Sequence, residues 1–145
     1  MIIDSEQALR TLYGFAKGKA VSKQLDQLEL HSKNFIKHSP FVLLSTYSKN
    51  GTVDCSPRGG EVGFVKVIDN NKIILADAKG NNRLDSLVNI IETKKIGCLF
   101  LIPGVDETLR VNGCALISTN AEYLDLFVND NKPPKSCIEI TVDEV

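Results

Sequence analysis

The spacing of apolar residues changes period along the chain, and each change marks a new kind of element. Over the first forty residues the pattern is helical. Ser5 caps "EQALRTLYGF", and Gly14 and Gly18 break that helix. A second helix is predicted from near Ser22, with Leu25, Leu28 and Phe35 roughly on one face. Ser39 and Pro40 end it, because the residue before a proline avoids helical angles. From Phe41 the period falls to that of strands. "FVLLSTY", the turn "SKNG" and "TVDCS" predict one hairpin, since Asn and Gly tolerate positive φ. "GFVKVID", "DNNK" and "KIILAD" predict a second.

Helical spacing returns at "LDSLVNII", where Leu84, Leu87, Val88 and Ile91 fall on one predicted face. Asn82 stands where an N-cap belongs, and Asp85 three residues later completes a pair resembling a capping box, so this helix is expected to start near Arg83. Strand patterns follow in "KIGCLFLI" and, after the loop "PGVDE", in "ETLRVNGCALIST". Asn120 caps a short helix, "AEYLDLFV", and a Pro-Pro hinge leads to a last strand, "CIEITV". Some seven short strands joined mainly by hairpins predict a mainly β fold, an antiparallel barrel or sandwich with helices at its ends. The strand pattern runs to Val145, which leaves a longer parent chain open.

A length of 145 residues suits one structural domain, here with an N-terminal helical arm over residues 1–38. A formal net charge of -1 provides no broad basic field, which argues against nucleic acid as a partner. The longest apolar run, Ile96 to Ile102, is strand-sized and too short to cross a membrane as a helix. "MIIDSEQALR" does not read as a secretory signal. The four cysteines, Cys55, Cys98, Cys114 and Cys137, show no CxxC spacing and read as reduced thiols, so a cytoplasmic location is expected.

The residues also limit the chemistry. His31 and His38 lack the close ligating partners of a metal site, so no metal is expected. The chain carries no G-x-S-x-G, Walker loop or G-x-G-x-x-G. If the protein is an enzyme, a cofactor would have to carry the difficult step.

Three polar clusters stand out. In "AKGNNRLDSL", Lys79, Gly80, Asn81, Asn82 and Arg83 precede a helix start, whose free N–H groups and dipole suit an anion; an ordinary exposed loop with an Asn cap has the same composition. In "CSPRGGEVGFVKV", Pro57, Gly59 and Gly60 predict a tight loop from which Arg58 projects. Lys66 beyond it shares a strand face with Phe64 and Ile68, where it meets an anion or guards a sheet edge. In "PGVDETLRVNG", Thr108, Arg110 and Asn112 point one way and Leu109 and Val111 the other.

These three motifs, in this order, resemble those of the FMN-binding split-barrel proteins related to pyridoxamine 5'-phosphate oxidase, in particular a subgroup with "SPRG", "GNNRLDSL" and "PGVDETLRVNG". The resemblance runs from about His38 to Val145 and implies that residues 39–145 form a six-stranded antiparallel Greek-key split barrel. It also implies a homodimer with FMN in clefts at the interface. By the same analogy Asn81, Asn82 and Arg83 stand for the family's Ser-Arg-Lys phosphate turn, with Arg58 and Lys79 as added cations. Lys66 matches a basic strand residue near the cofactor, Asp77 replaces a Thr, and Thr108 and Arg110 reach a flavin across the interface.

The function so implied is that of an FMN flavoprotein, an oxidoreductase moving electrons from a reduced nicotinamide to a small acceptor or oxygen. The alternatives are a non-catalytic flavin-binding or storage module, and a relative that holds haem or another cofactor on this fold. The pyridoxal-holding residues of the true oxidases are unmatched, which argues against that exact activity, and no catalytic acid or base is assigned.

Overall fold

The structure is a computed structural model that describes residues 2–18, 24–77, 84–130 and 133–145. Helix α1 spans Glu6–Tyr13, and the Ser5 side chain accepts from the Ala8 N–H, as its position before "EQALRTLY" predicts. Helix α2 spans Leu30–His38. It begins later than the apolar spacing suggested. Ser22 lies outside the described residues, and residues 24–29 are not helical. Their backbone is used elsewhere: Leu25 exchanges hydrogen bonds with Val145 at 3.2 and 2.8 Å, and the Leu28 N–H donates to the Asn70 carbonyl at 2.7 Å. A capping box between Glu29 and Ser32 then starts the helix, and Ser39 closes it ahead of Pro40.

Seven strands follow, interrupted by one long helix and one short one. They are β1 (Phe41–Tyr47), β2 (Val53–Gly59), β3 (Lys66–Val67) and β4 (Lys72–Ala76), then helix α3 (Asp85–Thr93), β5 (Lys95–Leu101) and β6 (Thr108–Ser118). Helix α4 (Ala121–Leu124) runs into a 3-10 turn over Asp125–Phe127, and β7 (Cys137–Glu144) closes the series. The ladders are antiparallel and join in the order β2-β1-β5-β6-β7-β4-β3. The fold is therefore a curled antiparallel sheet with helices. The two-residue β3, all that remains strand-like of "GFVKVID", brings the count to the seven that the pattern predicts, against the six that the resemblance implies.

The "SPRG" segment is not a tight loop. It completes β2, with Pro57 opposite Leu43 and Arg58 opposite Val42. A proline is acceptable there because β2 lies at the end of the sheet, where one side of the strand has no ladder to donate to. The preceding turn behaves as "SKNG" predicts: Gly51 has φ +87°, and its N–H donates to the Ser48 carbonyl at 2.9 Å.

The core lies on the concave side of the sheet. Val42, Leu44, Cys98, Phe100, Val111, Ile138 and Ile140 face Phe35 and Ile36 of α2, together with Leu87 and Ile90 of α3. A smaller cluster on the other side joins Ile74, Phe127 and Cys137 beneath Tyr123 and Leu124.

Helix α3 differs from its predicted face. It begins at Asp85, with Leu84 at the cap position in a left-handed conformation (φ 61°). The buried residues are Ser86, Leu87, Asn89 and Ile90, whereas Leu84, Val88 and Ile91 are exposed. Hydrogen bonds set this rotation. Ser86 and Asn89 both bond to the sheet, so the helix turns these two polar groups inward along with Leu87 and Ile90. The Asn82 cap expected from sequence lies outside the described residues.

Candidate functional site

Strand alternation determines which predicted residues can meet. Arg58 pairs with the buried Val42, so it lies on the core-facing side of β2, as do Ser56 and Asp54 two and four residues earlier. The other end of the sheet supplies Asp77, just past β4, whose backbone N–H donates to the Ser136 carbonyl at 3.0 Å. Arg58 and Asp77 come together there: a guanidinium nitrogen is 3.9 Å from a carboxylate oxygen, with the side chains 20% and 21% exposed.

Beside this pair the start of α3 is tied to β2 and β1. The Ser86 hydroxyl donates to Asp54 Oδ2 at 2.9 Å and lies 3.2 Å from Ser56 Oγ. One turn on, Asn89 Nδ2 donates to Thr46 Oγ1 at 3.0 Å. Among the described residues every buried side-chain nitrogen and oxygen has a partner. Asp54, Ser56, Ser86 and Asn89 join these candidates only through the tertiary structure. The alternation of Asp54, Ser56 and Arg58 was a usable sign, masked by the expectation that "SPRG" was a loop.

The remaining candidates lie elsewhere. Lys66 pairs with Ile74, which belongs to the outer cluster, and its ammonium sits 5.9 Å from the centroid of the Phe127 ring. This contact with an aromatic face accounts for a charge among apolar neighbours. Thr108 and Arg110 are exposed on the convex side of β6: Arg110 pairs with Leu99, Leu99 with Leu43, and Leu43 with Pro57, the neighbour of Arg58 that points the opposite way. Within one chain, Thr108 and Arg110 do not face the Arg58–Asp77 pair. Lys79, Asn81, Asn82 and Arg83 lie outside the described residues.

Nearer the far end of that convex side an open depression of about 270 Å³ is bordered by Ser45, Tyr47, Gly97 and Asn112. At Gly97 a Cβ would lie 3.2 Å from Asn112 Oδ1, tight enough that the amide would have to shift. His31 and His38 are occupied locally: His31 Nε2 is 2.7 Å from Glu107 Oε1, and His38 Nδ1 is 2.7 Å from the Asn34 carbonyl oxygen. Among the described residues no group of three or more His, Cys, Asp or Glu could hold a metal ion. None of their helices is long and apolar enough to cross a membrane.

Comparison with known proteins gives this geometry a family. Residues 28–145 match the family described as pyridoxamine 5'-phosphate oxidase. The chain belongs to that family. Solved structures share its fold. HupZ of Group A Streptococcus superposes with a TM-score of 0.67 at 18% identity, covering 80% of this chain and 90% of that one. An FMN-binding protein from Syntrophomonas wolfei gives 0.54 at 20% identity, over 78% and 81% of the two chains. An F420 reductase gives 0.53 at 17% identity, over 78% and 92%. No curated protein matches the sequence. The pyridoxamine 5'-phosphate oxidase fold thus accounts for the curled sheet.

Proposed function

We propose that this member of the family is an FMN-dependent oxidoreductase that works as a homodimer and takes electrons from a reduced nicotinamide. The observation that carries this reading is the placement of Arg58. A guanidinium held on the core-facing side of an edge strand, four-fifths shielded from water, is a strong donor pair for an anionic group. It fits the phosphate of FMN, although the carboxylate of Asp77 lies 3.9 Å from that guanidinium. When bound, the flavin supplies hydride and electron transfer that amino-acid side chains lack.

The chain's own residues bind and orient. Arg58 donates to the phosphate, and the ties from Ser86 and Asn89 keep the start of α3 beside β2. Lys79, Asn81, Asn82 and Arg83 contribute further donors on the strength of their sequence alone. Thr108 and Arg110 face away from Arg58, so in a dimer they serve the cleft of the second copy. Partly exposed Phe41, Leu43, Leu99 and Leu101 on the same convex side give that second copy an apolar surface to cover. Lys66, held over Phe127, adds positive charge from the outer face.

The test is an absorption spectrum of the purified protein after FMN is added and the mixture gel-filtered, followed by NADH and NADPH oxidation assays. Retained flavin in a particle of dimer mass, with nicotinamide oxidation, supports the proposal. A colourless monomer that leaves both nicotinamides untouched overturns it.

A further inference from the structure

Asp77 faces the cation that a phosphate would use. Its position is determined on one side by the Ser136 carbonyl and on the other by the end of β4, while Arg58 is held by its pairing with Val42. The two side chains come from β2, at one end of the strand order, and from just past β4, next to the other end. Both are about one-fifth exposed, which limits screening by water and salt. Asp54 points to the same side of β2 as Arg58, further along the strand, and is engaged by Ser86. Among the described residues this side of the site therefore offers one guanidinium and two carboxylates.

Resting on the flavin reading above, we propose that Asp77 is a specificity-determining residue that withholds Arg58 from doubly charged phosphate. A dianion brought against Arg58 must also approach the Asp77 carboxylate, and repulsion there offsets much of what the guanidinium contributes. A ligand edge with a carbonyl beside an N–H meets the opposite condition: the guanidinium donates to the carbonyl, and the carboxylate accepts from the N–H. Arg58 therefore favours FMN over riboflavin by less than an unopposed guanidinium would.

The experiment measures FMN and riboflavin affinities of the full chain by quenching of flavin fluorescence, for the parent, Asp77→Asn and Asp77→Thr. The expected result is that both substitutions tighten FMN about tenfold and leave riboflavin unchanged or weaker. A purely structural ion pair would change the two flavins together or lower only the melting temperature, and either outcome overturns the proposal. Asp77→Asn nearly preserves shape, so it remains informative if Asp77→Thr fails to fold. If no form binds either flavin, the flavin reading fails, and the charge proposal is decided by melting in inorganic pyrophosphate. A stabilisation by pyrophosphate that appears only in Asp77→Asn supports the proposal, and its absence overturns it.

Discussion

The hydroxyl of Ser86 donates to the carboxylate of Asp54 across 2.9 Å, and this contact joins the first turn of α3 to the edge strand β2. Together with the bond from Asn89 to Thr46, it determines which side of α3 meets the sheet and brings the helix start beside Arg58.

Removing the second of these ties should be costly. Asn89→Ala leaves the buried Thr46 hydroxyl without its donor and is expected to lower stability by about 1–3 kcal/mol, against about 1 kcal/mol for Ser86→Ala. Urea denaturation with a common m-value measures both. Equal, negligible changes would show that these bonds do not set the helix rotation.

Two adjacent isoleucines give a sharper check. Ile90 is 0% exposed and Ile91 65%. Ile90→Ala should cost about 2–5 kcal/mol, whereas Ile91→Ala should stay within about 0.5 kcal/mol. The face predicted from apolar spacing alone would assign the larger loss to Ile91.

At Gly113 a Cβ would run into the carbonyl oxygen of Thr141, beside the irregularity where β6 shifts register against β7. Gly113→Ala must therefore move backbone, and a loss of about 1–3 kcal/mol or more is expected. Thermal melting followed by circular dichroism reads it.

In Asp77→Asn, where that carboxylate no longer offsets the guanidinium, Arg58→Ala should weaken FMN binding roughly tenfold to a hundredfold, as expected for one charge-assisted contact worth about 1.5–3 kcal/mol, and by less in the parent. Titration calorimetry with FMN measures it, and an unchanged affinity would remove Arg58 from the site.

Alkaline pH should destabilise the fold through its buried thiols. Burial pushes Cys98 from the ordinary 9.0 to about 12, and Cys137 moves upward too, through burial and the nearby Glu139. The unfolded chain releases these protons first. The stabilising contribution is therefore complete below pH 9.0 and is lost as pH rises toward about 12. Urea midpoints measured under reducing conditions should fall above pH 9.0, and the fall should be shallower in Cys98→Val. A parallel decline in both proteins would mean that Cys98 does not carry the effect.

Much of the local structure was legible in the residues. Ser5 announced the cap of α1, "SKNG" the turn at Gly51, and the alternation from Thr108 to Asn112 the two sides of β6. These features depend on neighbours in sequence, which is the range over which spacing and capping act. Two of the departures, the "SPRG" loop and the face of α3, have one cause. Pro57 reads as a loop residue unless the strand that holds it is known to lie at a sheet edge, and the apolar spacing of α3 could not reveal that Ser86 and Asn89 would find partners on β2 and β1.

By itself, the sequence determined the kind of fold, the order of its elements and the three motifs through which it resembles its family. The tertiary structure alone decided which of the candidate residues meet. Arg58 and Asp77 are 19 positions apart, yet they approach only because the strand order curls β2 toward β4, while Lys66, Thr108 and Arg110 are carried to other faces. The physical reason is that periodicity specifies the sides of each element one at a time. Contact between the two ends of a sheet depends on every ladder that lies between them.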